Sequence, residues 1–260
     1  MIQRSHLPSS PMPHHQRLQH PTTRFRIPNL ALIQAMLAIL ILNESVQSED
    51  FYKPIVKDIE GWQVEIDPKI LAEENREVGE QTLAALANHL QRIVWILPKD
   101  RVQSLRKLPI RIDWEHDLTN MQYHPGRGWL ERNGYDPTLE KRVHIPRAKQ
   151  LLNPSQWAKH PYVVFHELAH AYHDQILSFD DSRIIANFEN AKRAGSYENV
   201  TLYTGAKVRH YALTNHKEYF AECSEAYMGV NDFFPFVRAE LREHDPRMHA
   251  LMESIWGKIR

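Results

Sequence analysis

His166, Glu167 and His170 form an HExxH arrangement within residues 161–174, Pro-Tyr-Val-Val-Phe-His-Glu-Leu-Ala-His-Ala-Tyr-His-Asp, and this stretch restricts the fold more than any other. Histidines four residues apart lie one helical turn apart on one face. Both imidazoles can therefore reach a single metal ion while the neighbouring carboxylate faces a water at that ion. Phe165, Leu168, Ala169, Tyr172 and Ile176 recur at helical spacing, so the opposite side of this helix belongs against a core. The chain carries 16 histidines, and composition alone would place about 0.1 such patterns in this length. A chance match would fall more readily on a polar or Pro-broken stretch than on an amphipathic helix. A catalytic zinc site further needs a third protein ligand, with the fourth position left to water.

The metzincin continuation is absent, because it requires Gly at position 173 and His at 176, where this chain has His173 and Ile176. A glutamate from a later helix remains, and the stretch from Tyr211 to Glu225 offers Glu218, Glu222 and Glu225. Glu218 and Glu222 are one turn apart, so the first can ligate the metal while the second orients a ligand histidine from behind. Asp174 is a further candidate for that orienting role, with a helix-surface carboxylate as the alternative. His173 falls nearly a full turn past His170 and reads as a surface or packing histidine. Glu225 and His210 receive no role.

The HExxH pattern, a long insertion, and Tyr-x-x-Thr-Asn-x-x-Glu-aromatic-Phe-Ala-Glu from Tyr211 to Glu222 together resemble the catalytic domain of the anthrax lethal factor family, gluzincin-type zinc metallopeptidases. The likeness covers roughly residues 160–230, and the toxin's other domains have no counterpart. The interval from His170 to Glu218 also resembles that family more than thermolysin, whose interval is shorter. The resemblance implies His166, His170 and Glu218 as ligands of one zinc ion per chain, Glu167 as general base, and Tyr211 as the hydroxyl that stabilises an oxyanion. It implies hydrolysis of a peptide or protein substrate.

Lys and Arg balance Asp and Glu at 32 each, which gives no basis for a nucleic-acid surface or a polybasic membrane patch. Residues 1–29 are rich in His, Pro, Arg and Ser and precede an apolar run at 30–42 broken only by Gln34. A bilayer span needs about 20 residues, so this run is too short to cross comfortably. With Arg24 and Arg26 ahead of it and Val46 and Ser48 behind, residues 1–48 read as a leader and secretory signal cleaved after Ser48. The mature chain is then secreted or periplasmic with no stable membrane span. Met12 is an alternative start, and an uncleaved anchor or buried helix is the alternative to the signal. The single cysteine, Cys223, leaves an exported chain without an internal disulfide. It reads as a small buried hydrophobe rather than a nucleophile.

In the remaining part, 49–260, one catalytic domain accounts for the length. Residues 49–61 read as an extended lead-in, 62–66 as a short strand, and 70–97 as a long helix opened by Pro68, closed by Pro98 and packed on the sheet. Residues 108–114 alternate as a strand. Residues 117–141, punctuated by Pro125, Gly126, Gly128, Gly134 and Pro137, read as a loop. Residues 142–145 read as an edge strand whose free backbone groups either pair with an extended peptide or form an ordinary edge. Further helices are expected from the HExxH segment to about Leu177, over 183–193, and twice at the C-terminus, while 196–215 show few periodic apolar positions. The expected fold is α+β and zincin-like, with a small mixed sheet, a backing helix, the HExxH active-site helix and a helical C-terminal half. Two rivals stand: an exported non-catalytic metal-binding or interaction module, and a zinc hydrolase of cell-wall peptides. Intact Glu167 argues against the first, because a structural metal site has no use for a base.

Overall fold

The computed structural model describes residues 51–259, so the leader and secretory signal read at 1–48 lie outside the described residues. The first finding is a hairpin where a lead-in was expected. β1 (Ile55–Ile59) pairs antiparallel with β2 (Trp62–Ile66) through a turn at Glu60 and Gly61, whose φ values of 55° and 89° are both positive. That two-residue turn matches the twist of the paired strands and favours Gly. Along β2, Trp62, Val64 and Ile66 are buried while Gln63 is exposed and Glu65 half-buried, the alternation read from the sequence.

β3 (Ile110–Ile112), β4 (Gln122–Tyr123) and β5 (Val143–Ile145) complete a mixed sheet in the order β1-β2-β3-β5-β4. β2, β3 and β5 run parallel, and β4 is antiparallel to β5. Residues 142–145 therefore do not form the edge. β5 is interior, and the edges are β1 and β4, the latter inside the stretch expected to be a loop. That stretch also folds α3 (Arg127–Arg132), after α1 (Arg76–Ile96) and α2 (Lys99–Leu105). α1 begins later than expected, because Pro68–Leu71 and Glu73–Asn75 form 3-10 turns instead.

Val64, Ile110 and Val143, then Ile66, Ile112 and Ile145, stack across one face of the sheet and meet Leu86, Leu90 and Ile93 of α1 in the core. The other face carries Glu65, Arg111, His144 and Gln122 in register. Its charges are paired: Arg111 donates to Glu65 at 2.9 Å and Asp136 at 3.3 Å, and Arg142 donates to Glu65 at 2.8 Å.

The C-terminal half is helical: α4 (Pro154–Lys159), α5 (Val163–Tyr172), α6 (Ser182–Ala194), α7 (His216–Met228), α8 (Arg238–His244) and α9 (Pro246–Trp256). A two-strand ribbon, β6 (Val200–Thr201) and β7 (Lys207–Val208), precedes α7. Among the described residues no helix is long and apolar enough to cross a membrane.

Candidate metal centre

α5 and α7 lie against one another, and their apolar sides explain why. Trp256 of α9 packs on Phe165 (5.2 Å between ring centroids) and Tyr172 (4.7 Å) of α5 and on Phe220 (5.9 Å) of α7, so one indole holds both helices. At the far end of α7 the Tyr162 ring occupies the space beside Gly229, where a Cβ would come within 2.2 Å of it. Only glycine permits that approach. Cys223 is buried on α7 with its thiol pushed up by burial, as a small core residue should be.

The start of α7 is set by two successive side-chain caps. His210 Nδ1 accepts from the Ala212 amide at 3.0 Å, opening the 3-10 turn Tyr211–Thr214. Asn215 Oδ1 then accepts from the Lys217 amide at 2.8 Å and the Glu218 amide at 3.0 Å. These bonds place Glu218 in the first turn, facing α5. Its Oε2 lies 3.3 Å from His166 Nε2 and 3.2 Å from His170 Nε2, and the two nitrogens are 3.1 Å apart. Three ligand-type atoms thus form a small triangle that can hold a metal ion. Glu218 Oε2 is buried with no hydrogen bond of ordinary geometry, which leaves it free for that role.

Glu225 is the carboxylate that orients His166. His166 Nδ1 stands 2.6 Å from Glu225 Oε1, whereas Glu222 Oε1 is 3.9 Å away. Donation of Nδ1–H to Glu225 leaves the Nε2 lone pair facing the triangle. His160 Nε2 in turn approaches Glu225 at 2.8–2.9 Å. The expected orienting role of Glu222 is therefore corrected: a further turn along α7 brings Glu225, not Glu222, level with Nδ1. Glu222 stays buried, and burial together with the neighbouring Glu225 raises its pKa.

Asp174 is also displaced from its expected role. It accepts from the Tyr123 hydroxyl at 2.6 Å and from Lys141 Nζ at 2.5 Å, tying the π turn His173–Leu177 to the edge strand. The cause is the π turn itself, which ends α5 at Tyr172 and turns Asp174 toward β4. His173 is fully buried and packs against Phe179 and Phe220.

Glu167 is buried beside the triangle, and its Oε2 accepts from the Tyr123 backbone amide of β4 at 2.8 Å. Burial raises its pKa, and Glu218 adds to the rise. Burial alone would raise Glu218 as well, but His166 and His170 outweigh it and hold that carboxyl well below the usual range. His166, Glu167, His170, Glu218 and Tyr211 all line one open cavity of about 720 Å³, whose wall also includes Met121, Gln122 and Tyr123 of the edge. Burial and Glu218 push up the Tyr211 phenol, keeping it protonated and able to donate.

A second His/Asp group, Asp113, His116 and His144, lies on the sheet's polar face. His144 sits 3.0 Å from Asp113 and 3.1 Å from His124, and His116 Nδ1 accepts from the Leu118 amide. Both ring nitrogens of His144 are thus engaged, while Asp113 and His116 line a second cavity of about 440 Å³.

No protein-family model matches the sequence, and no curated protein or solved structure does.

Proposed function

We propose that the chain is a zinc-dependent peptidase with a zincin-like domain, exported by its N-terminal segment. Zinc bonded to nitrogen and oxygen at about 2.0–2.2 Å in a tetrahedron sets ligand atoms about 3.3–3.6 Å apart, and the triangle here, with edges of 3.1–3.3 Å, lies at or just inside the short end of that spacing. Two imidazoles and one carboxylate also suit zinc by ligand type. When bound, zinc would supply Lewis acidity toward a substrate carbonyl and lower the pKa of a water.

The chain's own groups do the rest. Glu167, its carboxylate held by the Tyr123 amide and its pKa raised by burial, accepts a proton from the attacking water and returns it to the leaving amine. Tyr211 donates its hydroxyl to the oxygen on which charge develops. The β4 edge lines the same cavity, and its backbone groups other than the Tyr123 amide, which Glu167 holds, can meet an extended peptide. The observation that carries this reading is Glu167, a buried carboxylate of raised pKa beside three converging ligand atoms in an open cavity.

Metal analysis and a broad peptide-library assay on wild type and Glu167→Gln test it. Both proteins should bind about one zinc per chain, and the variant should lose nearly all hydrolysis. Full activity in Glu167→Gln would sink the mechanism. Zinc binding without cleavage of any peptide by wild type would favour the non-catalytic module.

A further inference from the structure

Lys217 is the only lysine or arginine lining the cavity among the described residues; the other ionisable groups there are Glu167, Glu218, Glu222, Asp232, Tyr123, Tyr211 and histidines. Its position is locally unfavourable. It stands in the first turn of α7, directly before Glu218, where the positive end of the helix dipole repels a cation. It forms no salt bridge among the described residues. Its Nζ sits 4.0 Å from the Phe179 ring centroid. Phe179 is itself fixed, since its carbonyl lies 2.8 Å from His216 Nε2 and its ring packs edge-on to His173. The aromatic face therefore props an uncompensated ammonium at the cavity wall, beside the triangle. Where a cation is held against local preference with no carboxylate partner, a functional demand is the reason to look for.

We propose that Lys217 receives a carboxylate of the substrate, either an Asp or Glu side chain or the free C-terminal carboxylate, on the Phe179 side of the scissile bond. This rests on the peptidase reading. A lone ammonium is a compact point charge that pairs with one anionic group. The α7 amides that could have assisted it are already bonded to Asn215. A single carboxylate is the anion this arrangement suits, and a peptide supplies it from a side chain or from its end.

The test uses the zinc-loaded chain as wild type, Lys217→Met, Lys217→Arg and Lys217→Glu, with zinc content measured for each. Substrates are matched internally quenched peptides. One set changes Glu to Gln at successive positions around the cleaved bond, and the other changes a free C-terminus to the amide. In wild type, kcat/KM should favour the carboxylate member by about 10- to 100-fold in one set, which identifies the source. Lys217→Met should bring that ratio near one, Lys217→Arg should keep it, and Lys217→Glu should reverse it in favour of the uncharged member. A wild-type ratio near one in both sets, or an unchanged ratio in Lys217→Met, overturns the assignment while leaving the peptidase reading intact. A wild type that cleaves no peptide of either set overturns that reading and this inference together.

Discussion

Glu222 and Glu225 stand nearly one turn apart on α7 and do different things, which makes them a sharp pair to vary. Removing Glu225 takes away the acceptor that fixes the His166 ring at 2.6 Å. Glu225→Ala should weaken zinc binding about 10- to 100-fold, the cost of losing a partner that orients a ligand. Glu222→Ala should weaken it less, because no oxygen of Glu222 comes closer than 3.9 Å to His166. Competition with a chromophoric chelator would measure both, and equal losses would refute the assignment of Glu225. His173 illustrates the opposite case. Its ring is buried with neither nitrogen hydrogen-bonded, a desolvation cost with nothing returned. His173→Leu, close in volume, should stabilise the fold by about 1 kcal/mol in urea denaturation at neutral pH. A loss of stability there would reveal a bond the ring makes in solution.

Helix α7 matters to the proposed zinc site because its first turn carries the candidate ligand Glu218, so its cap reaches that site. Asn215→Ala removes the acceptor of two amides, one of them on Glu218 itself. The expected loss is about 1 kcal/mol of stability, with zinc affinity falling alongside. Asp181 caps α6 in the same manner, accepting from the Arg183 amide, but α6 contributes no ligand. Asp181→Ala should therefore lower stability comparably and leave zinc affinity alone. Denaturation and zinc titration of the two variants check this, and parallel effects on zinc would mean the cap acts only through global stability. The edge strand has a related architecture. β4 holds Glu167 by the Tyr123 backbone amide and is held by Asp174 through the Tyr123 hydroxyl, so the π turn and the proposed base are joined through a single strand residue.

The molecule as a whole buries many histidines, and that governs its response to acid. Burial lowers the pKa of His124, His173 and His210 to about 3 each, against about 6.5 in an unfolded chain. Between those values the unfolded chain binds more protons. Stability is therefore complete above pH 6.5 and falls as pH drops toward 3, by about 1.4 kcal/mol per pH unit for each histidine. His160 and His166 oppose this in the zinc-free chain, since nearby carboxylates raise them despite burial. Bound zinc removes the contribution of His166, which cannot then take a proton. The melting temperature should fall from pH 7 to pH 4, more steeply with zinc than the histidines raised by carboxylates alone would permit. His173→Leu should flatten the slope. Calorimetry across that range is the check, and a flat profile in wild type would contradict the neutral burial of these rings.

The HExxH helix and strand β2 could be read directly from the sequence, because helical and alternating periods are local and each carries its own apolar face. Glu218 was reachable through spacing and resemblance, and it faces the histidines as expected. Glu225 and His160 were not legible as partners: they lie 59 and 65 residues from the groups they meet, His166 and Glu225 respectively, and nothing local marks either. The edge of the sheet was misplaced for the same reason. A strand of two residues among prolines and glycines shows no alternation, and which strand lies outermost depends on pairing between distant segments. Helix, strand and ligand type follow from neighbours along the chain; the orienting carboxylate, the edge and the cavity wall follow from α5, α7 and β4 packing together, which only the folded chain decides.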